Sequence, residues 1–322
     1  MIVRNSCPFT VWSIFTDPGQ NTVFPDTPTG WQADPFTSTS FTVPQGWRAG
    51  RIWGRRDCNF AQPATSPADT QCVTGGCSGG GVLCQGAGGI GAPPATLAEW
   101  TLDDPQSGND FYDVSLVDGY NLPMSVETNA GCPIAGCFVD LGPGCPDQLK
   151  GPFDATGFPV GCKTACLANL DGNPSDSANC CSGSHNTPAT CPVNGVQFYS
   201  YFKNACPDSY AYAYDEASGT ALWTCPSHLR ASYIVTFCPA NNETFTFSTQ
   251  SGGPTSGASP TFGEPSATEG GPATQLPASG SPTPTLPFVN PNEGLDWASP
   301  THGRASWILL SSLALALLVM IS

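Results

Sequence analysis

The run Thr96-Leu97-Ala98-Glu99-Trp100-Thr101-Leu102 alternates strictly, with Ala98, Trp100 and Leu102 on one face of an extended chain and Glu99 on the other. A period of two predicts a strand that lays one apolar face on a core and turns its carboxylate away from it. The next apolar segment, Phe111–Met124, starts in the same way: Tyr112, Val114 and Leu116 face inward and Asp113 the polar side. Further back, Phe9-Thr10-Val11-Trp12, Phe41-Thr42-Val43 and Arg51-Ile52-Trp53-Gly54 are short β-branched and aromatic runs between Pro, Gly and Asp punctuation. Ala221–Thr224 and Tyr233–Cys238 read as closing strands, and Cys162–Leu170 as one short helix. The pattern predicts an all-β protein.

Composition narrows the partners. Among 322 residues there are 25 acidic and 10 basic side chains, a net charge of −15. Nucleic-acid binding rests on Lys and Arg neutralising phosphates, so a polyanionic partner is excluded. The hydrophobic fraction of 39% suffices for a core. No cofactor is called for, and a monomer is expected.

Sixteen cysteines lie between Cys7 and Cys238, and the even number suits eight disulfides in an oxidising compartment. Zinc is the competing reading, but zinc sites pair C-x2-C units with nearby His, and this chain has only three His. The adjacent Cys180 and Cys181 suit two diverging bridges better than one metal ion, so no metal site is expected. Cysteine positions alone leave the pairing open. The chain opens Met1-Ile2-Val3-Arg4-Asn5-Ser6-Cys7 with no secretion signal, so the natural start is expected upstream, a trimmed signal being the alternative.

Beyond residue 240 the composition changes. Of residues 251–290, 27 of 40 are Gly, Ser, Thr or Pro, a content too poor in apolar surface to offset the entropy of ordering. Residues 241–305 therefore read as a disordered stalk with the bias of an O-glycosylated segment, and Asn242-Glu243-Thr244 as an N-glycosylation sequon. Residues 306–322 are apolar, too short for a comfortable membrane span, and follow a polar spacer; this is the pattern of a GPI-anchor signal with Asn292 as attachment point. A short transmembrane anchor is the alternative. Either one tethers the protein to a membrane at the cell surface or wall.

The segments Cys7-Pro8-Phe9-Thr10-Val11-Trp12, Gly50-Arg51-Ile52-Trp53-Gly54-Arg55-Arg56-Asp57-Cys58 and Pro94-Ala95-Thr96-Leu97-Ala98-Glu99-Trp100 occur in order. They are followed by Tyr112-Asp113-Val114-Ser115-Leu116-Val117-Asp118-Gly119-Tyr120, Tyr201-Phe202-Lys203-Asn204-Ala205-Cys206-Pro207-Asp208 and Thr236-Phe237-Cys238-Pro239. Together with all sixteen cysteines they resemble the thaumatin-like proteins (the pathogenesis-related group 5 type) over residues 1–240. One departure is Thr74-Gly75-Gly76-Cys77, where the family usually has Asp before the cysteine.

The resemblance implies a flattened antiparallel β-sandwich core (1–57, 85–131, 207–240), a small stapled lobe (58–84) and a disulfide-rich lobe (132–206). It implies the pairing Cys7–Cys238, Cys58–Cys72, Cys77–Cys84, Cys132–Cys225, Cys137–Cys206, Cys145–Cys162, Cys166–Cys180 and Cys181–Cys191. It further implies an acidic cleft lined by Arg55, Glu99, Asp113, Asp118 and Asp215. The last of these lies in a run with Tyr210, Tyr212 and Tyr214, beside Glu216.

Hydrolysing a glycosidic bond takes one protonated and one ionised carboxyl group, and crowded like charges beside an Arg separate two such roles. Glu99 is expected to be the acid, with Asp118 or Asp113 as its partner. The function so implied is binding of β-1,3-glucan or another cell-wall polysaccharide, with weak endo-β-1,3-glucanase activity, in a wall-associated or defence role. The alternatives are a non-catalytic lectin-like binder and an antifungal, membrane-permeabilising defence protein. Trp31, Trp47, Trp53 and Tyr120 are candidate sugar-stacking rings, although a core role suits most of them.

Overall fold

The computed structural model describes residues 1–16, 25–62, 71–77, 80–84 and 92–240. The stalk, the apolar tail, Asn242 and Asn292 lie outside the described residues. Among the described residues twelve strands are formed: β1 (Ile2–Asn5), β2 (Val11–Thr16), β3 (Gly30–Ala33), β4 (Ser38–Ser40), β5 (Gly50–Cys58) and β6 (Cys72–Thr74), then β7 (Leu97–Thr101), β8 (Asn109–Ser115), β9 (Met124–Thr128), β10 (Ala135–Cys137), β11 (Trp223–Pro226) and β12 (Tyr233–Phe237). One α-helix, α1 (Tyr199–Ala205), lies between β10 and β11.

The strands form two sheets. One runs β10-β9-β12-β1-β4; the other runs β11-β8-β7-β5-β2-β3, with β6 attached to β5. Their inward rows meet in one apolar layer: Val3, Val126, Val235 and Phe237 from the first sheet against Phe15, Ile52, Ala98, Trp100, Tyr112 and Val114 from the second. Ala98, Trp100, Tyr112 and Val114 are positions that the two-residue alternation assigns to the core. Trp47, Trp53 and Tyr120 are buried there or in neighbouring clusters and have no ring face open to a sugar, whereas Trp31 is partly buried against the main core. Among the described residues all strand pairs are antiparallel except β1 with β12, which run side by side in the same direction, Ile2 opposite Ile234. The first and last strands thus lie together, and the Cys7–Cys238 disulfide ties them just beyond that pairing.

All sixteen cysteines are disulfide-bonded, with the eight pairings that the resemblance implies. Four of the bridges lie within residues 137–206. Cys137–Cys206 and Cys145–Cys162 sit in a second cluster with Leu116, Tyr120, Leu141, Leu149 and Phe202, and Cys166–Cys180 and Cys181–Cys191 in a third with Val196 and Tyr212. The helix expected at Cys162–Leu170 is a series of turns. Cys162 and Cys166 are pulled towards different partners, Cys145 and Cys180, and Asn169 takes a left-handed conformation with φ of 51°. The helix forms instead at Tyr199–Ala205, which buries Phe202 and ends where Cys206 is bonded to Cys137.

Candidate functional site

Strand register assembles the site. Arg51 on β5 is the cross-strand partner of Glu99 on β7, and Glu99 is the partner of Asp113 on β8. Their neighbours Ile52, Ala98, Tyr112 and Val114 point into the core, so the three charged side chains share the opposite face of the sheet. Adjacent strands lie about 4.8 Å apart, which makes this a continuous row of one cation and two carboxyl groups.

Within the row Arg51 Nε meets Glu99 Oε1 at 2.6 Å, both side chains about a quarter exposed (28% and 26%). Asp113 is only 9% exposed, and its Oδ1 is buried with no hydrogen-bond partner. Asp118 enters from the turn after β8, where Gly119 N donates to Leu116 O at 2.9 Å and Ala95 N donates to Asp118 O at 2.9 Å. That turn needs glycine: Gly119 has φ of +81°, and a Cβ there would lie 2.6 Å from Pro94 Cβ.

The electrostatics follow from this crowding. Glu99 foremost, then Asp118 and Asp113, hold Arg51 more firmly protonated, against the effect of burial. Burial pushes Asp113 well above the usual carboxylate range; Glu99 and Glu216 push the same way, and Arg51 opposes them. Asp118, half-buried, is pushed up to about 6 by burial and by Glu99, again against Arg51. Carboxyl groups with raised proton affinity beside a firmly protonated arginine are what acid–base sites display.

The two other residues of the expected set stand elsewhere. Arg55 is fully buried, and its guanidinium donates to three carbonyls: Trp12 O at 3.2 Å, Gly81 O at 2.8 Å and Val82 O at 2.6 Å. It shares a face of β5 with Arg51, but it lies beyond the end of β7, whose last paired residue Leu97 faces Trp53. The chain at residues 80–84 covers it there, approaching so closely that a Cβ at Gly30 would lie 2.1 Å from Val82 O. Arg55 holds this loop to the sheet, and Arg51 is the arginine of the acidic row.

Asp215, 1% exposed, is fully engaged: Tyr199 Oη donates to Oδ1 at 2.8 Å, while Oδ2 accepts from Ala211 N at 2.9 Å and pairs with Lys203 Nζ at 3.0 Å. It fastens α1 to the segment after it.

Glu216, the next residue, is exposed and accepts a hydrogen bond from Tyr210 Oη at 3.1 Å. Tyr210 joins the row through the backbone, because Tyr210 N donates to Val114 O at 2.8 Å and Leu116 N donates to Tyr210 O at 2.9 Å. Sequence reading passed over Arg51 and Glu216. The signal for each was a second residue of the same charge type nearby, Arg51 four residues before Arg55 and Glu216 directly after Asp215. Among the described residues no group of three or more His, Cys, Asp or Glu is arranged to hold a metal ion, and no helix is long and apolar enough to cross a membrane.

Residues 5–239 match the model of the thaumatin family. The chain belongs to that family. Among curated thaumatin-family relatives, it is 43% identical over 241 residues to pathogenesis-related protein 5 of Arabidopsis thaliana, covering 74% of this chain and 89% of that protein. It is 41% identical over 247 residues to thaumatin-like protein 1 of the same plant, covering 74% and 85% of the two chains. It is 38% identical over 239 residues to a Prunus avium protein named glucan endo-1,3-beta-glucosidase, covering 73% and 89%. This is a pathogenesis-related, disulfide-rich family, typically secreted, in keeping with the eight disulfides.

Proposed function

We propose that the row Arg51–Glu99–Asp113 with Asp118 binds β-1,3-glucan and cleaves it slowly, at a cell surface or wall. The observation that carries the reading is the 2.6 Å ion pair of Glu99 with Arg51 beside two carboxyl groups whose proton affinity is raised. The relative named glucan endo-1,3-beta-glucosidase supports the substrate class. Sugar hydroxyls suit such a row, because ionised carboxylates accept hydrogen bonds from them and a protonated one donates.

Cleavage needs one proton donor and one carboxylate facing the anomeric carbon. The geometry favours roles opposite to the sequence expectation. Glu99, paired with Arg51, is placed as the ionised group, and Asp118, half-buried and raised to about 6, as the donor. Asp118 gives its proton to the glycosidic oxygen as the C–O bond breaks and its electron pair leaves with that oxygen. A water then adds to the anomeric carbon, its proton passing to Glu99, and solvent returns the two carboxyl groups to their starting states. The tail at 306–322 completes the proposal as a membrane tether, with one copy of the chain as the working unit.

The test is to incubate the full chain with laminarin and to measure both retention and new reducing ends, for the wild type and for Glu99→Gln. Release by the wild type that disappears in the variant supports cleavage. Retention without release in either protein leaves the lectin-like reading, and neither retention nor release rejects glucan altogether.

A further inference from the structure

The buried, unpartnered Oδ1 of Asp113 poses a physical question, since a buried ionised carboxylate oxygen with no donor is costly. The groups around it are all known. Glu99 lies beside it on β7, Arg51 lies one strand further on β5, Asp118 follows in the next turn, and Tyr210 and Glu216 close the side beyond β8. The last paired residues of β11, Trp223 opposite Tyr112, bring no charge. One cation therefore faces three other carboxyl groups around Asp113.

The edge of β8 changes partner at Asp113. β11 pairs with β8 as far as Tyr112, and from Val114 onwards the chain at Tyr210 takes over. Tyr210 lies opposite Ser115, two residues from Asp113 on the same face, so its ring sits over the end of the charged row. Its hydroxyl donates to Glu216 and keeps an otherwise exposed carboxylate within electrostatic reach of Asp113. The buried Asp215, fixed by Lys203, Tyr199 and Ala211, anchors the short 3-10 turn Asp215–Ser218 that carries Glu216.

We infer that Glu216, held by Tyr210, is a further member of the site: a positioning residue that keeps the proton on Asp113, so that Asp113 presents a neutral O–H donor to a sugar hydroxyl oxygen. A carboxylic acid kept neutral by its surroundings is a known way to place a strong donor in a cleft. The inference rests on the glucan reading for its ligand, but the protonation of Asp113 is measured without any ligand.

The experiment is an NMR titration of the side-chain carboxyl carbons of the folded full chain, comparing wild type, Glu216→Gln, Tyr210→Phe and the pair combined. Removing a nearby negative charge, or releasing it to solvent, lets Asp113 lose its proton at lower pH. The Asp113 midpoint is expected to fall by roughly half a pH unit or more in either variant. It should fall no further in the double variant, because both changes act through one carboxylate. Asp147→Asn, an exposed residue paired with Lys150, is the control and leaves the midpoint in place. In parallel, the pH above which laminarin retention weakens shifts downward in Glu216→Gln.

A midpoint for Asp113 that is the same in wild type, Glu216→Gln and Tyr210→Phe overturns the inference, whatever laminarin does. A midpoint that moves while laminarin is never retained upholds the role of Glu216 and rejects the glucan reading alone.

Discussion

Asp118 holds its proton more tightly in the folded chain than the ordinary value of 3.8 would allow, up to about 6. A carboxyl raised in this way contributes stability that is complete below pH 3.8 and lost as the pH climbs through about 6. Asp118→Asn is therefore expected to match the wild type in stability at pH 3.5 and to exceed it at pH 7, by on the order of 2 kcal/mol. Denaturant melts at the two pH values check this; equal stability at pH 7 counts against a strained carboxyl. A fold that tolerates such a group is one in which the site takes precedence over stability.

The two arginines of β5 give a second contrast at this scale. Arg55→Met leaves three carbonyls without their donor in a closed setting and is expected to destabilise by about 3 kcal/mol or more. Arg51→Met removes a partly exposed pair and is expected to stay within about 1 kcal/mol of the wild type. Comparing their unfolding midpoints tests the assignment of one arginine to structure and the other to the site.

At the scale of elements, Asp215 is the joint between α1 and the turn that bears Glu216. Asp215→Asn removes half of a buried pair with Lys203 and is expected to cost on the order of 3 kcal/mol. Loss of amide protection in Tyr199–Ala205, measured by hydrogen exchange, is the expected signature. Protection unchanged there shows that the helix is held by Phe202 and its disulfide alone.

Alternation was enough to place Glu99 and Asp113 on the outer face of β7 and β8, because that face depends only on local periodicity. The arginine was not legible. Arg51 and Arg55 have the same parity on β5, and only the register and length of β7 decide which one meets Glu99. Asp215 and Glu216 were equally ambiguous, since their opposite directions are set by a 3-10 turn and a half-buried lysine rather than by any period. The helix at Tyr199–Ala205 escaped notice for the same reason: seven residues with one buried Phe make too short a pattern, while disulfides override the propensity at Cys162–Leu170.

At the scale of the whole molecule, the covalent frame dominates. Cys7–Cys238 closes a loop with a sequence separation of 231 over the parallel pair β1 and β12. By the chain-entropy relation, such a closure is worth on the order of 5 kcal/mol. Replacing both cysteines by serine is expected to lower the unfolding midpoint by a corresponding amount, whereas a midpoint unmoved by the change, or by reductant, shows that packing alone suffices. A rigid frame explains how like charges stay crowded on one face of a sheet: the strands cannot part to relieve them. The net charge of −15 adds to the acidic character of that face and suits a neutral glycan better than an anionic partner.

The most direct measurement is the affinity of the full chain for laminarin, by calorimetry, with Arg51→Gln beside the wild type at a pH where both are folded. If the row on β5, β7 and β8 is the glycan site, Arg51→Gln loses at least about tenfold in affinity, equivalent to ~1.4 kcal/mol, while its melting curve barely moves. Affinity unchanged in Arg51→Gln places the sugar elsewhere and contradicts the account.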